Sequence, residues 1–400
     1  MTRVANARKG LAARRRNNAP TIQTQGVRGH IDYGILACTL GLIVLGLMMV
    51  FSSSSYSQSS LGNDPLKEFT SQLIFGALGI GGMLITMNLN YNFFRKPIIV
   101  YGALGLSVVL LALIYVLPPE KFILTAPVIN GSKRWIFFMG QSIQPSELAK
   151  FAVIFFVSAY LTARPKQIAS LSQTILPCLG VCGLIFALVF KYNLSTAGTI
   201  LIVTVAMLFI AGVPGKYFTF LIGGGVALAI PLTIFESYRM RRLMSFLDPW
   251  EMASSDGYQL VQSLYALGAG GWFGTGIGMS RQKQLFLPYA SSDFIFAIVG
   301  EELGFIGAIA IIALFFLLIF FGIKTAIQCP DRYGRMLASG ITALIATQVV
   351  INVAVVTGSM PTTGLPLPFF TAGGTSFFLF ITAMGILMNI SRYKSPTAIK

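Results

Sequence analysis

The chain has 400 residues, of which 55% are hydrophobic and only 10% charged, with a mean hydropathy of +0.75. A soluble domain carries about a quarter charged residues, so a soluble multidomain protein of this length is excluded. The net charge of +16 sits in the terminal segments and loops, where it reads as membrane orientation and anionic-lipid contact rather than nucleic-acid binding.

Residues 1–30 open the chain as a basic, polar arm with Arg3, Arg8, Lys9, Arg14, Arg15 and Arg16. The arm is too long before its first apolar run for a cleaved signal peptide, and it reads as a disordered cytoplasmic segment. Windows of about 20 apolar residues then recur, the length that crosses a bilayer core. They predict an all-α polytopic membrane protein with ten transmembrane helices, at roughly 31–50, 71–89, 97–117, 147–163, 172–190, 195–213, 216–234, 293–321, 334–357 and 367–390. Residues 31–390 are thus one membrane domain, with a large extracytoplasmic loop, 235–292, between helices 7 and 8. Residues 391–400 are a short cytoplasmic tail.

Lys and Arg near the helix ends set the expected orientation. The even-numbered loops hold Arg95, Lys96, Arg164, Lys166, Lys216, Lys324, Arg332 and Arg335, and the tail holds Arg392, Lys394 and Lys400. Both termini are therefore expected in the cytoplasm. Cys38, Cys178 and Cys182 fall within spans and Cys329 in a cytoplasmic loop, so no outer disulfide is expected and these read as small core residues. The single histidine, His30, lies at the edge of the arm, which argues against His-based zinc sites and His-dependent triads.

Polar residues collect on the outward side in three places. The first, "NGSKRWIFFMGQSIQPSELAK", ends with Pro145, then Ser146 as the expected N-cap and Glu147 in the first turn. Lys150 follows Glu147 by three positions, so the two can pair on one helix face; a capped helix start with a local ion pair accounts for them without chemistry. The second is the long loop, with Arg239, Arg241 and Arg242 just past the seventh span. Its stretch from Tyr258 to Leu267 reads as an amphipathic helix at the interface, followed by a glycine-rich turn whose backbone is suited to close approach by an anion or another helix. No strand precedes that turn, so it does not read as a dinucleotide loop.

The third is "SSDFIFAIVGEELGFIG", which places Asp293, Glu301 and Glu302 in an apolar stretch although the chain has only 13 acidic residues. On a helix Glu301 lies about 12 Å deeper than Asp293 and about 80° around, and Glu302 points to the opposite face. Asp293 cannot form a carboxylate pair or a small metal site with either glutamate through this helix alone. For Asp293 a helix-start acid and a chemical role are both open. For Glu301 and Glu302 structural pairing and function are both open, since intramembrane acids are functional candidates by default.

The run "LPYASSDFIFAIVGEELGFIG" resembles the signature of the SEDS family (shape, elongation, division and sporulation), and so do "GSKRWI", "QPSELAK", "FLDPW", "DGYQLVQS" and "TTGLPLPFFTAGGTS". The resemblance runs in order from the first span to the last and leaves out only the arm; "GEELG" and "GLPLPF" are more like the division and sporulation branch. It implies a ten-span peptidoglycan glycosyltransferase that polymerises lipid-linked disaccharide-peptide (lipid II) at the outer face of the bacterial cytoplasmic membrane, in cell division. The implied partners are a class B penicillin-binding protein acting as transpeptidase and other divisome membrane proteins. The family's essential outer-face aspartate falls on Asp293, its Glu–Lys pair on Glu147 and Lys150, and the arginine of its "RWI" on Arg134. Gln282 and Lys283 match its "QK", and Glu301 and Glu302 its "EELG". The chain departs from the family at Tyr289 to Ser292, at Lys191, Tyr192 and Asn193, and at Ala372.

A lipid pyrophosphate is a leaving group that needs no proton, so one general base and nearby cations suffice, without the two carboxylates of a hydrolase. Asp293 is the expected base. Lys283, Arg242, Arg134 and Lys150 are expected to hold the pyrophosphate, with room for a divalent cation, Mg2+ or Mn2+, to share the task. Glu301 and Glu302 are expected to serve inter-span packing or a polar groove rather than the chemical step. Attack by the acceptor 4-hydroxyl on an α-linked donor then inverts the centre to a β-1,4 link. The alternatives are a flippase for the same lipid-linked precursor, although the one-sided polar residues do not provide the route through both leaflets that alternating access requires, and a non-enzymatic scaffold for a transpeptidase.

Overall fold

The computed structural model describes residues 27–118, 124–128, 132–138, 141–235 and 237–394. The basic arm from Arg3 to Arg16 and the end of the tail, including Lys400, lie outside the described residues.

Twelve helices carry the described chain: α1 Tyr33–Ser60, α2 Lys67–Asn88, α3 Pro97–Val116, α4 Pro145–Ala163, α5 Leu176–Phe190, α6 Leu194–Ile210, α7 Gly215–Ile234, α8 Ser237–Leu247, α9 Tyr258–Gly270, α10 Ile295–Gln328, α11 Arg332–Val356 and α12 Gly374–Ser391. Among the described residues eight helices are long and apolar enough to cross a membrane: α1 to α4, α5 with the single π turn before it, and α10 to α12. The apolar α6 is shorter, at 17 residues, and α7 occupies the position expected for a seventh span. The loop expected between spans seven and eight contains α8 and α9.

Local chemistry sets several helix starts. Asp32 accepts from the Gly34 amide at α1, Asn193 from the Thr196 amide at α6 and Asp331 from the Gly334 amide at α11, each satisfying a donor that a helix start leaves free. Helix α4 departs from the expected cap. It begins at Pro145, with Gln144 at the cap position and Ser146 already inside the first turn, because proline's fixed φ and missing N–H suit the first helical position.

The centre of the bundle is α10, which packs on α1, α9 and α11, while α12 lies along α2. Small residues set that last approach. A methyl group on Gly385 would overlap the Met83 carbonyl, and one on Gly76 would press on Phe377; close backbone approach of this kind drives helix association where lipid removes the hydrophobic difference.

Among the described residues two small antiparallel sheets complete the fold. In the first, β1 (Val27–Arg28) pairs with β5 (Tyr393–Lys394), and the Asp32 amide donates to Ser391 Oγ at 2.9 Å. The two ends of the described chain therefore meet at one end of the bundle. In the second, β2 (Leu124–Thr125), β3 (Ile136–Phe138) and β4 (Gln141–Ile143) line up in order between α3 and α4, which delivers Arg134 to the site described next.

Candidate active site

Asp293 stands two residues before α10. Its backbone carbonyl accepts from Asn352 Nδ2 of α11 at 2.8 Å, and the same amide group donates to the Leu365 carbonyl at 2.9 Å. One side chain thus ties the Asp293 turn to the loop that follows α11. Gly364 in that loop marks where the charges converge: a Cβ there would lie 3.1 Å from Arg134 Nη1 and 3.3 Å from Asp293 Oδ2. Arg134 is aimed by a 2.7 Å hydrogen bond from its Nε to the Tyr192 carbonyl. Arg242, on α8, donates from Nη1 to the Thr362 carbonyl at 3.0 Å.

Burial pushes the Asp293 carboxyl up to about 6, with Arg134 and then Arg242 drawing it back. Desolvation penalises the charged form, whereas the two guanidinium groups favour it. The balance leaves a carboxylate more basic than an ordinary one, the property a general base needs.

A second cluster surrounds Glu301 and Glu302. Helix α10 is interrupted at Gly304, where φ is 69° and ψ −173°. Such a break strands backbone groups that a membrane cannot solvate. The glycine-rich loop after α9 takes them up. The Phe305 and Ile306 amides donate to the Gly271 and Trp272 carbonyls at 2.9 and 3.2 Å, and the Glu301 and Glu302 carbonyls accept from the Thr275 and Gly276 amides at 2.9 and 3.0 Å. Gly274 has φ +81°, and any Cβ on it would overlap the Glu302 carbonyl, so only glycine fits there. The glycines after α9 thus serve close approach to another helix.

The glutamate side chains fasten the next stretch of the same loop. Glu301 accepts from the Arg281 amide at 2.8 Å, from the Gln282 amide at 3.3 Å and from Ser280 Oγ. Glu302 pairs with Lys283 Nζ at 2.7 Å and accepts from Ser52 Oγ of α1 at the same distance. Its cation therefore comes from the loop rather than from another span, and the first span contributes a hydroxyl. Lys283 is buried there and also meets Ser52 Oγ at 2.9 Å.

The third group is the Glu147–Lys150 pair on α4, closed at 2.7 Å with both side chains buried. Lys150 Nζ stands 5.5 Å from the centre of the Phe380 ring, and Glu147 Oε2 has no protein partner among the described residues. The nine residues singled out in the sequence thus separate by their contacts. Asp293, Arg134 and Arg242 converge; Gln282, Lys283, Glu301 and Glu302 form a second set; Glu147 and Lys150 form a third. Among the described residues no three His, Cys, Asp or Glu side chains gather in a metal-ligating group.

Sequence reasoning passed over Asn352, whose amide holds the Asp293 turn, and Gln72 of α2, which donates to the Thr371 carbonyl at 3.0 Å and accepts from the Gly373 amide at 3.3 Å. Both are polar residues in apolar helices, the signal that marked Glu301 and Glu302. The positions where the chain departs from the family signature also hold the site. Tyr192 supplies the carbonyl for Arg134, and the Ala372 amide donates to the Ser291 carbonyl at 2.9 Å. In each case the backbone makes the bond, so the side chain there is free to vary.

The profile of the FtsW, RodA and SpoVE family, described as "Cell cycle protein", matches residues 33–396. The chain is 39% identical over 363 residues to stage V sporulation protein E of Bacillus subtilis (strain 168), an alignment covering 90% of this chain and 97% of that protein. It is 38% identical over 365 residues to the probable peptidoglycan glycosyltransferase FtsW of Trichlorobacter lovleyi, covering 90% and 93%. Among solved structures, a chain from work on structural coordination of polymerization and crosslinking by a peptidoglycan synthase complex superposes with a TM-score of 0.73 at 26% identity, covering 91% of this chain and 99% of that one. The rod shape determining protein RodA of Thermus thermophilus gives a TM-score of 0.65, also at 26% identity, covering 91% and 98%. By profile, identity and fold, this multi-pass membrane chain belongs to the SEDS family of cell cycle proteins, in its FtsW and SpoVE branch.

Proposed function

We propose that this chain is a peptidoglycan glycosyltransferase that polymerises a lipid-linked disaccharide-peptide into β-1,4 glycan strands. The observation that carries this reading is geometric: Asp293 Oδ2 and Arg134 Nη1 converge beside Gly364, with Arg134 and Arg242 both drawing on its carboxyl. Asp293 takes the proton from the acceptor 4-hydroxyl as that oxygen attacks the donor's anomeric carbon. The C–O bond to the lipid pyrophosphate breaks, the pyrophosphate leaves as an anion, and inversion gives the β link. Arg134 and Arg242 bear the charge of the departing pyrophosphate, because preorganised cations act where charge develops.

Lys283 and Gln282 serve this site through the loop they belong to, since Lys283 already shares its charge with Glu302. Glu147 and Lys150 support it from α4 as a buried ion pair. A Mg2+ or Mn2+ ion would be held by the pyrophosphate's own oxygens and would share its charge with Arg134 and Arg242.

The bundle crosses the membrane ten times, with α6 and α7 as two of the spans. The meeting of β1 and β5 supports placing both ends of the chain on one side, and the basic loops support the cytoplasm as that side. The segment 235–292, with Asp293 at its close, then faces outward, where a glycosyl donor must arrive already activated on a lipid. A class B penicillin-binding protein, together with other membrane proteins of the division machinery, is the partner that cross-links the product.

The test is polymerisation of purified lipid-linked precursor by the chain, with and without such a transpeptidase, comparing wild type with Asp293→Asn. Polymer from wild type and a loss of about a hundredfold to ten-thousandfold in an equally folded Asn variant is expected for removal of a general base. Equal polymer from both proteins refutes Asp293 as base. No polymer from wild type, even with the transpeptidase, refutes the polymerase and favours a flippase.

A further inference from the structure

The end of α1 reads "SSSSYSQSS" over residues 52–60, a run of hydroxyls at the close of a membrane-crossing helix that the reaction at Asp293 leaves unexplained. Ser52, Ser55, Tyr56 and Ser59 recur at the spacing of one helix face, and all four line a cavity of about 540 Å³. Its far wall is the loop after α9, with Gly278 and Lys283. The volume lies within the range of small-molecule sites, about 300–1,000 Å³. Asp293, Arg134 and Arg242 are not among its lining residues.

The wall has no net cationic character. Lys283 is its one charged residue, and Glu302 neutralises it at 2.7 Å. A pyrophosphate would find no surplus positive charge here. Ser52 is taken up by Glu302 and Lys283; what the wall does offer is the hydroxyls of Ser55, Tyr56 and Ser59, the Gln284 amide, and the half-exposed rings of Phe51 and Tyr56. Hydroxyl and amide groups match the donors and acceptors of a sugar, and an aromatic ring with a polar tip suits a ligand that is apolar on one face and wet on the other.

We propose that this cavity binds uncharged sugar units of a lipid-linked glycan, outside the reacting centre. The inference rests on the polymerase reading, since a polymerase must hold two glycans at once and the Asp293 site surrounds only the bond that forms. The Lys283–Glu302 pair is common to the cavity wall and to the helix that follows Asp293, so an occupant would sit against the support of the catalytic turn.

The experiment places a cysteine at Ser55, and separately at Ser59, in the Asp293→Asn protein, which holds substrate without turnover. The native cysteines are all buried, so the new thiol is the one a maleimide reaches. Labelling is timed with no ligand, with lipid-linked disaccharide-pentapeptide, and with the same polyprenyl pyrophosphate lacking sugar. The expected result is at least tenfold slower labelling at both positions with the disaccharide lipid and little change with the sugar-free lipid. No protection by the disaccharide lipid overturns the proposal, and equal protection by the two lipids assigns the cavity to the lipid tail instead. Polymerisation by the otherwise native chain is assayed in parallel, so failure of the polymerase reading is seen separately from failure of this one.

Discussion

Asp293 depends on two opposed influences. Burial raises its carboxyl to about 6, and Arg134 and Arg242 limit the rise. A general base works only when deprotonated, so polymerisation should climb with pH through about 6 and level off above it, falling close to tenfold per unit below. A rate profile from pH 5 to 8 at saturating precursor checks this; a flat profile would remove Asp293 from the rate-limiting proton transfer. Asp293 itself was legible in the sequence as a carboxylate at the mouth of an apolar helix. Its two arginines were legible only as candidates among four cations. Arg134 lies more than 150 positions away in the sequence, and Gly364, the point where it meets Asp293, belongs to a third segment.

Helix α10 carries a break that its own sequence scarcely announces. "GEELGFIG" reads as helix by hydropathy, yet Gly304 leaves the helical region, and the loop after α9 supplies the missing hydrogen bonds. The same loop is pinned by the Lys283–Glu302 ion pair. Lys283→Met leaves a buried carboxylate without its cation and should destabilise by about 3–5 kcal/mol, whereas Lys283→Met with Glu302→Gln should recover much of that loss. Thermal unfolding of both variants in one detergent measures the difference, and equal losses would show that the pair is not coupled. Gly274→Ala should be worse tolerated than an exposed glycine replacement, because its φ of +81° and its contact with the Glu302 carbonyl both oppose a side chain. A cost of about 1–3 kcal/mol is expected, read as a lower melting temperature.

Over the whole molecule, the bundle is closed by long-range contacts between the first and last described elements. The last helix lies along the second, and β5 pairs with β1. Gly385→Val should force α12 from the Met83 carbonyl on α2. Overpacking at such a contact costs about 1–3 kcal/mol, so a reduced yield of monodisperse protein and a lower melting temperature are expected. The buried interior bonds Asn352 and Gln72 to loop carbonyls rather than to each other, so the floor of the candidate site is set by helices that approach only in the assembled bundle.

Composition and hydropathy by themselves determined that the chain is a helical membrane protein, because about 20 apolar residues in sequence have no other stable environment. Short motifs were enough to identify its family and to single out Asp293, since those residue types serve one chemistry at fixed positions. Only the tertiary structure decided which cations face Asp293, that Lys283 is tied to Glu302, and that the serine face of α1 lines a cavity. Those outcomes depend on the angles and breaks of packed helices, which bring together residues from distant segments. No local periodicity records such approach, because a side chain's period says which face it lies on but not what that face meets.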